Sequence, residues 1–317
     1  MNRTLVTSII LFVCLGASAH AQSFSNQSAA PTASAPQAAK GQSLQAMEAA
    51  GTKMSFDVVS VKLHNPSDRE GYSNVPLGPG VPFPRTGGLF SVSNQPLPPI
   101  LAWAFDLSGD QQLRINSQLP KWAFLDRFDI EAKAAGNPGQ AEMQLMMQSL
   151  LADRFKLAVH TETKEGPVFA LEMVKPGRLG PQLKPHVSDP SCSESTTPPP
   201  PACASGLMQA RPSVSGLIHY VGQNVPVSII SKYLPLTSQW GTGLDRPVLD
   251  KTGLSGNFDF SIEFARQLDP DARGPQSDQN GPTFIEALRD QLGLKLESQT
   301  GPASVLILDH IEEPSPN

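Results

Sequence analysis

The decapeptides GLFSVSNQPL at residues 88–97 and GLIHYVGQNV at residues 216–225 decide how this chain is built. Each reads as a short strand that runs into a helix, because apolar residues first alternate and then recur at helical spacing. The decapeptides start 128 residues apart in the chain. A repeat at a fixed offset constrains a fold more strongly than any single element. The sequence therefore predicts an internal duplication.

The segments that follow the two decapeptides also correspond. The strand sequence FDIEAKA begins at Phe128, and FDFSIEF begins at Phe258. A helix with one apolar face is predicted over residues 142–155. Its counterpart begins at Thr283 with a capping box and ends at Gly293, a residue type that favours helix termination. Both copies therefore place a helix after a Phe-Asp strand.

Each copy is predicted to close with a hairpin whose turn is a Gly-Pro pair. KLAVHTETKE leads to Gly166-Pro167 and VFALEMV, and LKLESQT leads to Gly301-Pro302 and SVLILDHI. An additional strand from Phe56 is expected to extend the first sheet or to bridge the two copies. The predicted fold class is α+β, with two tandem β-α-β-α-β-β units whose helices pack on small mixed sheets.

The composition excludes several classes of protein. A chain of 317 residues with 39% hydrophobic and 17% charged content is neither wholly disordered nor a polytopic membrane protein. The net charge of −5 argues against nucleic-acid binding, which needs a basic surface. The 31 prolines and 25 glycines indicate many turns, linkers and extended segments.

Residues 1–21 have the pattern of a cleaved signal peptide. Arg3 precedes an apolar run from Leu5 to Leu15, and Ala19-His20-Ala21 fits signal peptidase. The alternative, an uncleaved membrane anchor, would need an apolar run of about 20 residues. Residues 22–52 are rich in Ala, Ser, Gln and Pro and predict a disordered tether. We expect a periplasmic or secreted protein without a transmembrane span after cleavage.

The two cysteines that remain after the signal, Cys192 and Cys203, are predicted to form a disulfide. A two-cysteine metal site is less favoured, because it lacks neighbouring histidines. The cysteines lie in a Pro-rich linker over residues 176–213. This linker separates a first α+β unit at residues 53–175 from a second at residues 214–317.

Five strings together resemble a known family: FDVVSVK at 56, DRFDIEAKA at 126, LLADRFKLAVHTETKE at 150, DKTGLSGNFDF at 250 and QLGLKLESQTGP at 291. They are similar to a soil-associated family of exported proteins of unknown function that is expanded in acidobacteria. The resemblance implies a domain that is sometimes fused to antirepressor-type membrane metallopeptidases. The family has no established catalytic residues, so the resemblance assigns none here.

Signatures of common enzymes are missing from the sequence. No histidine begins an H-E-x-x-H zinc motif, and no P-loop is present. The segment Gly253–Asn257 fails the G-x-S-x-G motif of α/β-hydrolases at its last position. We therefore predict no catalytic residues, no cofactor and no metal site.

A few polar residues remain as weaker candidates. His160, Glu162 and Glu165 lie on a predicted hairpin, where residues 160 and 162 share one strand face and are able to bind a metal or transfer protons. A solvated strand face is the favoured interpretation. Asp309 and His310 are neighbours on a strand and should point to opposite faces.

Two further features are interpreted as architectural. Asp129 and Asp259 recur at equivalent places in the two copies, which favours a shared role in the backbone over two active sites. The sequence Asp250-Lys251-Thr252-Gly253 is typical of a turn.

The signal, the duplicated α+β unit and the missing catalytic motifs predict a non-enzymatic interaction module with an envelope or extracellular protein as its partner. Two alternatives stay open: a secreted hydrolase acting on cell-wall or environmental polymer, and a small-ligand sensor domain. An apolar cleft between the copies would favour a ligand or a substrate. A flat surface with an unpaired strand edge would favour protein docking.

Overall fold

The computed structural model describes residues 54–67, 70–188, 205–212, 217–266 and 281–314, with the main chain alone at 207–212. In chain order the strands are β1 (Val58–Leu63), β2 (Tyr72–Ser73), β3 (Leu89–Gln95), β4 (Phe128–Lys133), β5 (Ala158–Met173), β6 (Leu183–Pro185), β7 (Gly206–Pro212), β8 (Ile218–Pro226), β9 (Val248–Asp250), β10 (Asn257–Phe264) and β11 (Leu294–His310). The helices are α1 (Leu97–Ala104), α2 (Gly109–Gln118), α3 (Trp122–Leu125), α4 (Gln140–Phe155), α5 (Val227–Tyr233) and α6 (Phe284–Ala287). A 3-10 helix over Leu234–Trp240 follows α5, and a π-helical turn over Leu288–Leu292 follows α6.

These elements confirm the predicted α+β class. The predicted signal peptide at 1–21, the tether at 22–52 and both Cys192 and Cys203 lie outside the described residues. Within the described ranges, no helix has the length and apolar character needed to cross a membrane.

Two four-stranded antiparallel sheets have the same strand order. The first is β1-β4-β3-β2, and the second is β6-β10-β8-β7. We call the first sheet with α1–α4 the N lobe, and the second sheet with α5, α6 and their continuations the C lobe. The strand predicted from Phe56 extends the first sheet, since β1 pairs with β4. The predicted linker 176–213 contributes β6 and β7 to the second sheet, which would otherwise be an isolated strand pair of marginal stability.

The two sheets also agree in register. Val92 lies opposite Ile130 in the N lobe, and Gly222 lies opposite Phe260 in the C lobe, which is an offset of 130 residues for both partners. A Cβ atom on Gly222 would collide with the Phe260 ring. The smaller residue therefore compensates for the larger one across the strand pair. This agreement is what the predicted duplication requires, and the duplication itself stays a prediction.

The prediction that each Gly-Pro pair forms a hairpin turn is wrong. β5 and β11 continue through Gly166-Pro167 and Gly301-Pro302, and they pair with each other antiparallel along their length. Gly166 lies directly opposite Gly301. The strand segments on either side of the two Gly-Pro pairs have a similar alternation of apolar and polar residues. This pattern fixes which face of a strand is buried, but not which segment pairs with which. We call this strand pair the β5–β11 ribbon.

The β5–β11 ribbon contributes residues to the cores of both lobes. Leu306 of β11 is buried in the core of the N lobe, with Leu308 and Ile311 packed beside it. Leu171 of β5 is buried in the core of the C lobe, with Phe169 packed against that core. The predicted units 53–175 and 214–317 are therefore not self-contained, because each lobe core includes residues from both.

Aromatic packing organises the centre of the N lobe. Phe155 at the end of α4 is fully buried and meets Phe128 edge-on at 5.3 Å between ring centroids. The Trp122 ring stacks on Phe155 at 6.5 Å. The corresponding C-lobe residues Phe258 and Leu292 are 4% and 1% exposed. Both lobes therefore anchor the end of a helix against the Phe-Asp strand, as the sequence predicts.

Truncating Phe155 to Ala should lower the free energy of unfolding by about 3 to 5 kcal/mol, because a large cavity would remain under α4. Urea unfolding monitored by circular dichroism measures this change. Phe124→Ala is the matched control, since Phe124 is 39% exposed and its truncation should cost less than about 1 kcal/mol. Equal losses for the two variants would contradict the packing described here.

Candidate functional site

The polar residues of β5 form an exposed chain of ion pairs. His160 Nδ1 lies 2.9 and 2.8 Å from the two carboxylate oxygens of Asp309, across the β5–β11 ribbon. A bulge between Leu308 and His310 brings Asp309 to this position. The hydrogen bond to Asp309 raises the pKa of His160, and the nearby charges of Asp309 and Glu162 act in the same direction.

This cluster is open to solvent and lies outside the cavities described below. His160 Nε2 is 3.7 Å from Glu162, which also pairs with Lys164. Glu165 lies opposite Pro302 on the ribbon and adds no metal ligand to the His160 cluster. The described ranges contain no group of three or more His, Cys, Asp or Glu side chains that could hold a metal ion. Exposed ion pairs of this kind contribute little to stability, since water and salt screen them.

Asp129 joins three strands of the N lobe. Its Oδ1 accepts hydrogen bonds from the Ser93 hydroxyl at 2.8 Å and from the main-chain N–H of Asn94 at 3.0 Å. His64 Nδ1, just after the edge strand β1, lies 2.8 Å from the same oxygen. We call this arrangement the carboxylate clasp. Burial raises the pKa of Asp129, but the bonds from Asn94, Ser93 and His64 outweigh it and lower that pKa overall.

The C lobe has a second carboxylate clasp. Asp259 Oδ1 accepts a hydrogen bond from the main-chain N–H of Asn224 at 2.8 Å, and His186 Nδ1 lies 2.8 Å from the same oxygen. Asn94 and Asn224 both have positive φ, 55° and 52°, at β-bulges in β3 and β8. The clasp therefore fixes a strained bulge residue and the end of an edge strand to the central strand. This geometry supports the architectural interpretation of Asp129 and Asp259.

A serine and a histidine meet on the open face of the second sheet. His219 Nε2 lies 2.7 Å from the Ser261 hydroxyl, a distance found in nucleophile and base pairs. Neither residue lines any cavity described below, and no carboxylate among the described residues hydrogen-bonds to His219. Within the part of the chain that the structure describes, the pair therefore has no orienting acid, which a serine nucleophile and its base need for acyl transfer.

A cavity of about 210 Å³ lies where helices of the two lobes meet, and we call it the inter-lobe groove. Its walls come from α1, α2 and α4 of the N lobe, from α5 of the C lobe and from the loop before β3. The lining residues are Pro76, Leu77, Gly78, Pro79, Gly80, Val81, Pro82, Ala102, Trp103, Asp106, Gln112, Gln140, Gln144, Ile229 and Tyr233. The exposed lining of the groove is more polar than apolar, with Asp106 and three glutamines among its polar residues.

Close contacts hold the lobes together beside the inter-lobe groove. A Cβ atom on Gly109 at the start of α2 would lie 3.0 Å from the amide nitrogen of Leu236 and 3.2 Å from the Tyr233 carbonyl. Asp106, which has a φ of 47°, accepts Lys232 Nζ at 2.7 Å. These contacts position α1 and α5 as two fixed walls.

Trp103 is the most unusual residue of the inter-lobe groove. It is 7% exposed, and its ring centroid lies 5.3 Å from that of Phe90 and 6.3 Å from that of Phe83. Its indole Nε1 is shielded from solvent and has no hydrogen-bond partner. A buried donor without a partner costs about 1 to 3 kcal/mol. Unsatisfied groups of this kind are few in folded proteins, and among the described residues Thr86 Oγ1 and Asp110 Oδ2 are the others.

Other polar groups of the groove are fixed by hydrogen bonds. The Gln144 side-chain amide donates to the Trp103 carbonyl at 2.8 Å, and that of Gln112 donates to the Leu107 carbonyl at 3.0 Å. Burial, and to a smaller extent the charge of Asp106, raises the pKa of Tyr233 strongly. The Tyr233 hydroxyl therefore stays protonated at neutral pH.

Two further cavities are present among the described residues. One of about 260 Å³ lies between the segment before β1 and α4, and one of about 410 Å³ lies against the π-helical turn. The larger one is bordered by Lys175, Arg178 and Arg289, and Arg289 already pairs with Asp290. Neither cavity joins the two lobes or contains an unpartnered buried group.

Sequence patterns identify part of this arrangement. The predicted turn is confirmed, since Asp250 Oδ1 accepts the Thr252 amide at 3.0 Å and Gly253 has a φ of 70°. The histidines of the clasps were not singled out, although Lys62-Leu63-His64 and Lys184-Pro185-His186 share a Lys-x-His pattern. The inter-lobe groove gives no sequence motif, because its walls come from separate elements of both lobes.

Comparison with known proteins gives one family. Residues 99–311 match the family described as a protein of unknown function, DUF3738. The match includes the helices that line the inter-lobe groove but not the loop at residues 76–82. No curated protein and no solved structure matches the chain.

The carboxylate clasp should make stability depend on pH. The folded-state pKa of Asp129 is lowered, so its stabilising contribution is complete above the unfolded value of about 3.9 and is lost as the pH falls through the folded value. Asp129→Asn should therefore lower the free energy of unfolding at pH 7. The difference in this free energy between the variant and wild type should shrink below about pH 4. Urea unfolding between pH 7 and pH 2.5 measures this.

Glu131→Gln is the control, because Glu131 is an exposed residue on the same strand. Its substitution should leave the pH profile unchanged. A difference between Asp129→Asn and wild type that stayed constant to pH 2.5 would contradict the role given to the clasp.

Proposed function

This chain belongs to the DUF3738 family of proteins of unknown function, and we propose that it is an exported, non-enzymatic binding module whose ligand occupies the inter-lobe groove. The expansion of the family in acidobacteria and its fusion to membrane metallopeptidases stay predictions from the resemblance.

One observation carries this proposal: a cavity is lined by residues of both lobes, and one of them, Trp103, has a buried donor with no partner. Ligand sites often lie at boundaries between domains, where a small number of polar groups orient the ligand. Trp103 and Gln144 lie on the N-lobe side, and Ile229 and Tyr233 lie on the C-lobe side. A ligand in the inter-lobe groove would contact both lobes at once.

The lining residues favour binding without chemistry. They include no His, Cys, Ser, Thr, Lys or Glu. Asp106 is the one carboxylate among them, and Lys232 neutralises it at 2.7 Å. The described residues of the groove thus offer no activated nucleophile and no free general base, which general acid–base and covalent catalysis need. This supports a binding module over the secreted-hydrolase alternative.

The volume of the groove limits what enters it. About 210 Å³ is below the range of roughly 300–1,000 Å³ that is typical of sites for drug-sized molecules. A small molecule fits, as does a single side chain presented by an envelope or extracellular protein. A small molecule in the groove would make the protein a small-ligand sensor, and a side chain of another protein would make it a docking module.

Export and the disulfide belong to the same proposal. The cationic start at Arg3, the short apolar run and Ala19-His20-Ala21 support signal cleavage and a periplasmic or secreted location. An oxidising compartment supports a bridge between Cys192 and Cys203.

Filling the inter-lobe groove should abolish binding. Ala102→Phe adds a ring at the α1 wall, so saturation-transfer NMR with cyclohexanone, benzyl alcohol and indole should detect binding to wild type and lose it in the variant. Ala152→Phe is the control, because Ala152 is half-buried on α4 and does not line the groove. Equal binding to wild type and Ala102→Phe, or no binding of any probe to wild type, would contradict the proposal.

A further inference from the structure

We propose that the cavity of about 410 Å³ against the π-helical turn binds a small organic oxyanion, either a carboxylate or a phosphate ester, whose charge lies between Lys175 and Arg178. We call this cavity, which Lys175, Arg178 and Arg289 border, the basic cavity. It shares no lining residue with the inter-lobe groove. The inference therefore goes beyond the proposed function and does not depend on it.

A tight turn holds two basic residues next to each other beside the basic cavity. The main-chain N–H of Arg178 donates to the Lys175 carbonyl at 3.1 Å, which closes a four-residue turn. Pro176 and Gly177 occupy its central positions, and the φ of 73° at Gly177 is what a type II turn requires there. The first and last Cα atoms of such a turn lie within about 7 Å of each other. Two positive charges are therefore attached close together on a main chain of defined conformation.

Main-chain hydrogen bonds fix this turn against the end of the π-helical turn. The N–H of Val174 donates to the Gly293 carbonyl at 2.9 Å. The N–H of Gly180 donates to the Leu292 carbonyl at 3.0 Å. A Cβ atom on Gly293 would lie 2.6 Å from the Gly180 nitrogen, so the two segments approach too closely for a side chain there. Both walls of the basic cavity are therefore held in place by the main chain before any ligand binds.

The protein does not balance the positive charges of the basic cavity. In the described ranges, the side chains of Lys175 and Arg178 have no hydrogen-bond or ion-pair partner. Arg289 adds a third basic side chain, and its Nε donates to the Asp290 carboxylate at 2.8 Å. Asp290 is the one carboxylate among the described lining residues. This local excess of positive charge lies on a chain whose net charge is −5. An oxyanion between Lys175 and Arg178 would offset their mutual repulsion and accept hydrogen bonds from both.

The rest of the lining favours an organic anion over an inorganic ion. The exposed lining of the basic cavity is more apolar than polar, and Val174, Leu179 and Pro181 belong to it. The volume of about 410 Å³ lies within the range of roughly 300–1,000 Å³ that is typical of small-molecule sites. Inorganic phosphate would leave the apolar lining in contact with water. A ligand with an apolar part next to its oxyanion would cover this lining.

Four probes test the charge and the apolar part of the ligand separately. Benzoate and phenyl phosphate carry an oxyanion on a ring, benzamide is the neutral counterpart of benzoate, and inorganic phosphate lacks the ring. Each is titrated into the purified protein at pH 7 and constant ionic strength, and the main-chain amides are followed by ¹H–¹⁵N NMR. The amides of residues 175, 178, 180 and 293 report on the basic cavity, and those of residues 102 and 103 report on the inter-lobe groove.

Benzoate and phenyl phosphate should shift the amides of the basic cavity and saturate, and benzamide should not shift them. Inorganic phosphate should bind more weakly than phenyl phosphate, because it covers none of the apolar lining.

A double variant tests the two basic residues of the turn. Lys175→Gln combined with Arg178→Gln should lower the affinity for benzoate about tenfold, since two exposed ion pairs would be lost. Lys62→Gln combined with Lys184→Gln is the control, because it removes the same charge from exposed residues that do not line the basic cavity. The control should bind benzoate as wild type does.

Equal shifts with benzoate and benzamide, equal losses of affinity in the two double variants, or no shift of the basic-cavity amides with any probe would overturn the inference. Equal affinities for phenyl phosphate and inorganic phosphate would overturn the assignment of an organic ligand. The comparison of benzoate with benzamide uses the wild-type protein, so it decides alone if a variant does not fold. These outcomes are distinct from failure of the proposed function, because the groove amides are read separately.

Discussion

The pairing of β5 with β11 is the interaction on which the rest of the molecule depends. The β5–β11 ribbon inserts Leu306 into the N-lobe core and Leu171 into the C-lobe core. Each core therefore includes a residue from the strand whose other end lies in the opposite lobe. The ribbon therefore ties the two lobes together through both cores. Burial of apolar side chains drives this pairing, since the strand hydrogen bonds would form equally well in two separate hairpins.

The inter-lobe groove follows from that constraint. With the ribbon holding both lobes, α1, α2 and α5 meet at one place, and Gly109 allows the close approach. The carboxylate clasps at Asp129 and Asp259 keep each sheet in register, so the helices that pack on the sheets are held in position. The loop at residues 76–82 lines the remaining side of the groove. The fold thus builds the groove around Trp103 from elements of both lobes.

Much of the secondary structure can be predicted from the sequence. The helix predicted over 142–155 is α4, and the Phe-Asp strands at Phe128 and Phe258 lie at the centre of their sheets. These features depend on local periodicity, which a sequence displays directly. The strand β6 at Leu183–Pro185 was missed, because three residues in a Pro-rich segment show no period.

Pairing and site geometry are harder to predict for physical reasons. Strand segments with the same alternation of apolar and polar residues bury the same face whichever strand they pair with. The pattern therefore does not distinguish a hairpin that turns at Gly166 or Gly301 from a long strand that continues through these residues. A donor such as that of Trp103 becomes informative only once its surroundings are known. The clasp histidines follow different edge strands, and His186 lies in the range that the sequence assigns to a linker.

A pair of engineered cysteines tests the pairing of β5 with β11 most directly. Thr163 lies opposite Ser304 in the β5–β11 ribbon. Directly opposed strand residues are close enough for a disulfide. Thr163→Cys combined with Ser304→Cys should therefore oxidise within the folded monomer without loss of stability. In a hairpin at Gly166-Pro167, residue 163 would instead face Ala170. Formation of the disulfide by Thr163→Cys with Ala170→Cys, and not by Thr163→Cys with Ser304→Cys, would contradict the account.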